Sequence, residues 1–281
     1  MSAATGNALL REGIVRLRDA GIESAPKDAR RLLAHALGVA PDRLTLALHD
    51  PVPQDAYPRF RAAVEQRARF QPVAQIIGQR QFWGRAFKVT RDTLDPRPET
   101  EILVAAALEA PFDTILDLGT GTGCILLSCL CARPSARGLG TDVSQAALAV
   151  AQENAQLLDL SARTELRLSD WFDAVSDRYD LIVSNPPYIA AAEMAGLSRD
   201  VLEWEPHGAL SPGGDGLDAY RMIAKGVMAH LNPGGRVIVE IGPTQAAAVC
   251  DVFAKQGLDV APVRNDLDGR DRVVIARRPL D

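Results

Sequence analysis

Four residues, Asn185, Pro186, Pro187 and Tyr188, follow the apolar run Leu181-Ile-Val183 with one serine between. That run is short, apolar and β-branched, the pattern of a buried parallel strand. Proline has no N–H to give a central ladder, and Asn185 and Pro186, each preceding a proline, are biased to extended backbone. The strand must therefore end in a donor-poor tetrapeptide that turns carbonyls and one carboxamide toward whatever lies beyond the sheet. Such a set of acceptors suits an NH2 group. The lone pair of an amide nitrogen is delocalised, as a rotational barrier of about 18–20 kcal/mol shows. Its attack on an electrophile therefore needs the nitrogen aimed and its developing positive charge stabilised. Asn185 Oδ1 and the Pro186 carbonyl are candidates for that pair, and Tyr188 for packing on a planar amide. An Asn-Pro step also marks ordinary turns, so other parts of the chain must separate the two readings.

Gly119, Thr120, Gly121, Thr122 and Gly123 lie between an apolar run at 114–118 and an apolar stretch at 124–131. Strand, glycine turn and helix make a nucleotide-binding βα unit, in which a ligand can approach the backbone N–H groups at the helix start. A dinucleotide fingerprint GxGxxG beginning at Gly119 needs glycine at 124, where the chain has cysteine; GxGxG fits a ligand without a pyrophosphate. Asp142 ends the next strand, Gly138-Leu-Gly-Thr-Asp142, at about the separation from the glycines where a carboxylate takes ribose hydroxyls. An acid after a strand is more commonly a helix cap, but Ser144 can serve as that cap. Trp171, just past a third strand at 163–168, either stacks on a purine or fills the core. A nucleoside with a non-phosphate tail, beside an acceptor-rich clamp, points to S-adenosyl-L-methionine and an NH2 group to be methylated.

Alternating strands and helices bring these three sites to the carboxyl edge of a doubly wound sheet. Ahead of it, apolar spacing predicts helices at 7–20, from about 24 to 37, a short one through Leu44 and Leu46, and one at roughly 54–69. This small helical unit holds no catalytic constellation; His35 and His49 stand alone. Val73 to Ile77, Phe82-Trp83-Gly84 and Phe87-Lys-Val89 read as short β-like pieces, a hairpin linking the helical unit to the main domain. The stretch Asp95-Pro-Arg97-Pro98-Glu99-Thr-Glu101 reads as a helix start, with Pro98 in the first turn and acids at the positive end of the dipole. Arg97, a cation fixed between prolines, is also suited to line a cleft. A strand at 236–241 and an edge hairpin around Val260 and 272–277 complete the chain. The expected boundaries are a helical recognition domain at 1–72, a hairpin linker at 73–96 and a methyltransferase domain at 97–281.

The 281 residues are 47% hydrophobic and 24% charged, ordinary for a globular protein. No apolar stretch approaches 18 residues, and the N-terminus lacks a basic region followed by an apolar block, so neither a membrane span nor a signal peptide is expected. The four cysteines show no metal-ligand spacing and are expected to be free thiols in a reducing cytosol. Residues 1–80 carry 12 Arg and Lys against 8 Asp and Glu, and the remainder 19 against 28. A basic front on an acidic body could present two differently charged faces to a macromolecule, or be solvated surface. The net charge of −5 argues against duplex DNA or long RNA as the main partner.

The chain resembles the protein-(glutamine-N5) methyltransferases of peptide chain release factors over nearly its whole length. The helical front, Pro72-Val-Ala-Gln-Ile-Ile-Gly78, Pro96-Arg-Pro-Glu-Thr-Glu101, Asp117-Leu-Gly-Thr-Gly-Thr-Gly123, Asn185-Pro-Pro-Tyr188 and Glu205-Pro with Gly213-Gly-Asp-Gly-Leu217 carry the likeness. Asn-Pro-Pro-Tyr is shared with adenine-N6 DNA and guanine-N2 rRNA methyltransferases; the Pro96 to Glu101 stretch narrows the choice, although Glu99 stands where members often have Asp. The resemblance implies an α/β, Rossmann-like class I fold and S-adenosyl-L-methionine as cofactor. It implies as substrate the glutamine of a Gly-Gly-Gln loop. By position, Gly119 to Gly123 would wrap the methionine part, Asp142 the ribose and Trp171 the adenine. Asn185 to Tyr188 would hold the glutamine amide, with Asn185 also near the cofactor. A cytoplasmic monomer, with no metal and no direct nucleic-acid substrate, is expected. The rival readings are a nucleic-acid amine methyltransferase and a noncatalytic cofactor-binding protein.

Overall fold

A computed structural model describes residues 5–280; Met1 to Ala4, part of the N-terminal stretch expected to carry no leader, lie outside the described residues, as does Asp281. Two compact units emerge. One comprises the chain up to Gly78 together with Ser198–Trp204, and the other Gln79–Leu197 with the chain from Glu205 on.

The first unit is helical, with helices Gly6–Asp19, Ala25–Leu37, Leu44–Ala47, Ala56–Ala68 and Val73–Ile77. Thr5 caps the first, its side chain accepting from the Ala8 N–H, and Gly38 ends the second in the left-handed region at φ 67°, where glycine has no Cβ penalty. Leu9, Leu17, Leu32, Leu33 and Phe60 are buried in a shared core. Val73–Ile77, expected as a β-like piece, is a single helical turn between Pro72 and a left-handed Gly78. A five-residue apolar run has no period that separates strand from helix, and here Val73 buries against the helical core. The helix Arg199–Trp204 joins this unit from far along the chain. Trp204 Nε1 donates to the Arg69 carbonyl at 3.1 Å, Gln75 Nε2 donates to the Trp204 carbonyl at 3.0 Å, and the Arg199 guanidinium lies 3.9 Å from the Phe70 ring centroid.

The second unit opens with a hairpin of β1 (Gln79–Phe82) and β2 (Arg85–Lys88). Its two-residue turn, Trp83-Gly84, has φ 48° and 71°, the positive pair that matches the twist of two strands. The sheet behind it is built from β3 (Thr114–Leu118), β4 (Arg137–Asp142), β5 (Thr164–Leu168), β6 (Tyr179–Ser184), β7 (Leu231–Glu240), β8 (Asp259–Val260), β9 (Arg264–Asn265) and β10 (Asp271–Arg277). Its order is β5-β4-β3-β6-β7-β10-β8, with β9 also on β10. β5 through β7 run parallel, and β10 is antiparallel to β7. The pair expected around Val260 and 272–277 forms, β8 lying antiparallel on β10 at the sheet edge, but β10 itself is internal, flanked by β7 and β8, consistent with its run of five buried residues, Arg272 to Ala276. Helices cover both faces. Leu126, Leu130 and Val104 pack on one side, and Tyr220, Ile223, Val249 and Phe253 on the other, which is why the parallel strands are apolar throughout rather than alternating. Among the described residues no helix is long and apolar enough to cross a membrane.

Candidate functional site

From β3 the chain winds outward through β4 and β5, then crosses back to β6 on the other side of β3. The carboxyl ends of β3 and β6 therefore diverge into a crevice, where open α/β sheets bind ligands. Leu118 pairs with Ser184, and Leu118 with Thr141, so Gly119, Asp142 and Asn185 are each the residue after a neighbouring strand position. A cavity of about 290 Å³ opens at this edge, its wall including Gly119, Thr120, Gly121, Thr122, Asp142, Trp171, Asn185 and Pro187.

The glycine turn is shaped by backbone. Gly119, Gly121 and Gly123 have φ 71°, 54° and 77°, a region that a side chain enters only with strain. The Thr120 N–H donates to the Thr141 carbonyl at 2.8 Å, and its hydroxyl to Asp117 Oδ2 at 2.7 Å. Buried Asn154 donates to the Thr122 carbonyl at 2.9 Å and also accepts from the Lys88 N–H, so one side chain ties hairpin, helix and turn together. Burial, opposed by the Thr120 hydrogen bond, pushes the Asp117 carboxyl up to about 7.

Asp142 is held by two backbone donors. Its Oδ2 accepts from the Gly121 N–H and its Oδ1 from the Ser144 N–H, both at 2.9 Å. Ser144 is the helix cap, accepting from the Ala147 N–H, which leaves Asp142 facing the cavity. Its pKa is raised by burial against the pull of those N–H groups. Trp171 sits at φ 46°, a conformation that disfavours a bulky residue and recurs at ligand sites. Cys124 also lines the cavity, but burial pushes its thiol up to about 12, so it is no thiolate at neutral pH.

At the clamp, the Asn185 Nδ2 donates to Thr100 Oγ1 at 3.3 Å. The Tyr188 N–H donates to the Leu210 carbonyl, and the Tyr188 carbonyl accepts from Gln245. Gly123, Pro186 and Tyr188 lie outside the cavity wall. Gly123 caps the helix Cys124–Ala132, Pro186 is buried, and Tyr188 packs on the core beside Tyr220, its hydroxyl pushed up to about 12 by burial.

Several wall residues escaped the sequence reading. Asp92, Thr93 and Leu94, from the stretch read as a linker, line the cavity, as does Thr100. Arg97, also in the wall, does not pair with its neighbour Glu99. Its Nη2 donates to both carboxylate oxygens of Glu205 at 2.8 and 2.9 Å, and the Glu205 side chain is 1% exposed. Behind Thr100, Glu240 at the end of β7 is buried and pushed up to about 7 by desolvation. The Thr100 hydroxyl and Arg272 pull it the other way. An acid closing the apolar run 237–239 was the visible signal.

The glycine turn, open where Gly119 and Gly121 have no side chain, and a carboxylate at the cavity wall fit a nucleoside with an uncharged or cationic tail. Two family models match the chain: one described as the PrmC N-terminal domain over residues 8–78, the other as a methyltransferase small domain over 90–217. A release factor glutamine methyltransferase of Cereibacter sphaeroides is 62% identical over 96% of this chain and 97% of its own length. One of Rhodospirillum rubrum is 43% identical over 99% and 86%. A crystal structure of a methyltransferase from Pyrococcus furiosus superposes with TM-score 0.54 at 16% identity, covering 69% of this chain and 89% of that one, a likeness of fold. With relatives this similar over nearly its full length, and with both the helical and the methyltransferase parts matched, the chain belongs to the release factor glutamine methyltransferase family.

Proposed function

We propose that this chain methylates the side-chain amide nitrogen of the glutamine in the Gly-Gly-Gln loop of peptide chain release factors. The observation that carries this reading is that the glycine turn, Asp142 and Asn185 share one cavity wall. A methyl donor and an amide acceptor can therefore meet there. S-adenosyl-L-methionine, bound in this cavity, supplies a methyl carbon on a sulfonium. Gly119 to Thr122 would receive its amino-acid end, Asp142 would accept from its ribose hydroxyls and Trp171 would flank its adenine. Asn185 Oδ1 accepts from one N–H bond of the glutamine amide, and the carbonyl for the other is that of Pro186, whose buried ring lies between the wall residues Asn185 and Pro187. The chain's own part is to aim the amide nitrogen at the donor's methyl carbon and to hold its N–H bonds while positive charge rises on it. Two prolines hold the acceptors in place, so little reorganisation accompanies the rise of charge on nitrogen. Tyr188, outside the cavity wall, backs this loop rather than packing on the amide.

The helical unit recognises the protein substrate, and the hairpin links it to the methyltransferase unit. In this reading the enzyme is a cytoplasmic monomer acting on protein, not nucleic acid. Mass spectrometry of release factor peptides after incubation with S-adenosyl-L-methionine tests it: one added methyl on the Gly-Gly-Gln glutamine is expected. Methyl transfer to rRNA or DNA but not to release factor overturns it.

A further inference from the structure

We propose that Thr100, backed by the buried Glu240, is a positioning residue that fixes which end of the Asn185 carboxamide faces the substrate. This deepens the clamp reading and rests on it. A carboxamide has one accepting and one donating end of nearly the same shape. Only the accepting end can hold an N–H of a glutamine amide. The other end would meet it donor to donor, so the clamp works in one of two rotations and something must choose.

Thr100 makes the choice by its own hydrogen-bond arithmetic. A threonine hydroxyl has one proton to give and lone pairs to accept with. Thr100 is 2% exposed, at the end of the turn Pro98–Thr100. Glu240 lies behind it, its carboxyl raised to about 7 by burial and pulled back down by a hydrogen bond from Thr100; in its ionised form Glu240 has nothing to donate and can only take the Thr100 proton. The Thr100 oxygen can then only accept from its other neighbour, and it accepts from Asn185 Nδ2 at 3.3 Å. With the NH2 end engaged there, Asn185 Oδ1 is left for the substrate.

Glu240 is anchored in turn. Its Oε1 lies 4.0 Å from Arg272 Nη1, and both side chains are nearly buried. Arg272 is itself held by Asp266 at 3.1 Å and by the Ile241 carbonyl. The Tyr188 hydroxyl lies within the field of the same two groups. One buried acid–base pair at the β7–β10 junction thus stands behind Thr100.

The test uses the full chain, labelled S-adenosyl-L-methionine and intact release factor, with Thr100→Val, Thr100→Ser and Asn185→Ala measured singly and Thr100→Val also combined with Asn185→Ala. Calorimetric cofactor affinity and melting temperature serve as checks on folding. Thr100→Val is expected to lower kcat about tenfold or more, the scale for one unmatched polar partner, with cofactor Kd within twofold of wild type. Thr100→Ser, which keeps the hydroxyl, should return kcat to within about threefold. In the Asn185→Ala background Thr100→Val should cost nothing further, because it acts only through Asn185. Unchanged kcat in Thr100→Val, a loss confined to cofactor Kd, or an undiminished loss in the double variant overturns the proposal. Near-normal turnover of Asn185→Ala alone would instead remove the clamp itself, so the two failures are distinguishable.

Discussion

At the scale of single residues, the site separates binding from chemistry. Asn185 stands in the cavity wall with its NH2 end donated to Thr100, and in the proposed reaction its oxygen holds the substrate amide. Asn185→Ala is expected to fold, to keep most cofactor affinity and to lose on the order of 10²–10³ in kcat, the scale for one preorganised polar partner. Asp142 is fixed by two backbone N–H groups, and in the proposed reading it takes the ribose hydroxyls. Asp142→Ala should weaken S-adenosyl-L-methionine binding about 10- to 100-fold by calorimetry, with a smaller change in kcat. Asp117 has a pH signature. Burial, helped by the Asp142 charge, raises it to about 7, above the carboxylate's unfolded value. Between those two values the folded chain holds a proton that the unfolded chain has released. The Asp117 contribution to stability is therefore present below the unfolded value and lost as pH rises through about 7. Asp215, held down near 2 by Arg221, acts at lower pH with the opposite sign. Urea unfolding should show wild type losing on the order of 1 kcal/mol per pH unit more than Asp117→Asn between pH 5 and 7; parallel curves would contradict this.

At the scale of elements, buried ion pairs hold each unit's helices and loops in place. Arg67 on the helix Ala56–Ala68 reaches Asp28 at 2.8 Å and Asp200 at 3.4 Å, with the Arg67 and Asp28 side chains under a tenth exposed. Removing one partner of such a set strands the other as an uncompensated charge, a loss of about 3–5 kcal/mol. Arg67→Ala is expected to lower the melting temperature of the chain by several degrees, whereas breaking the exposed Arg59–Asp55 pair should leave it within a degree or so. In the methyltransferase unit the Arg97–Glu205 pair plays the matching part. It joins the turn that carries Thr100 to the loop that carries Pro206, and both residues stand in the cavity wall with Arg97.

At the scale of the whole molecule, the two units differ in what they hold. The methyltransferase unit contains the entire cavity wall. Among its described residues the helical unit holds no part of that wall, but it takes in the helix Arg199–Trp204, from the segment that follows the Asn-Pro-Pro-Tyr loop. A chain lacking residues 1–70 is expected to bind S-adenosyl-L-methionine with unchanged affinity but to lose kcat/KM on intact release factor by tenfold or more. Unaltered kcat/KM with a folded, cofactor-binding product would exclude substrate recognition by the helical unit.

What the sequence determined by itself is whatever is local in the chain. The glycine turn, the proline-locked end of β6, the Ser144 cap that leaves Asp142 facing the cavity and the apolar run of each buried strand depend on residues a few positions apart, so type and spacing suffice. Tertiary structure decided the rest. Thr100 meets Asn185 across 85 positions, Arg97 meets Glu205 across 108, and Gln75 meets Trp204 across 129. Nothing local marks such partners, because each looks like an ordinary cap, turn or strand residue until the sheet brings its mate alongside. Even Val73–Ile77 turned from expected strand to helix for this reason, since burial against neighbouring helices, not its own short run, selected its backbone.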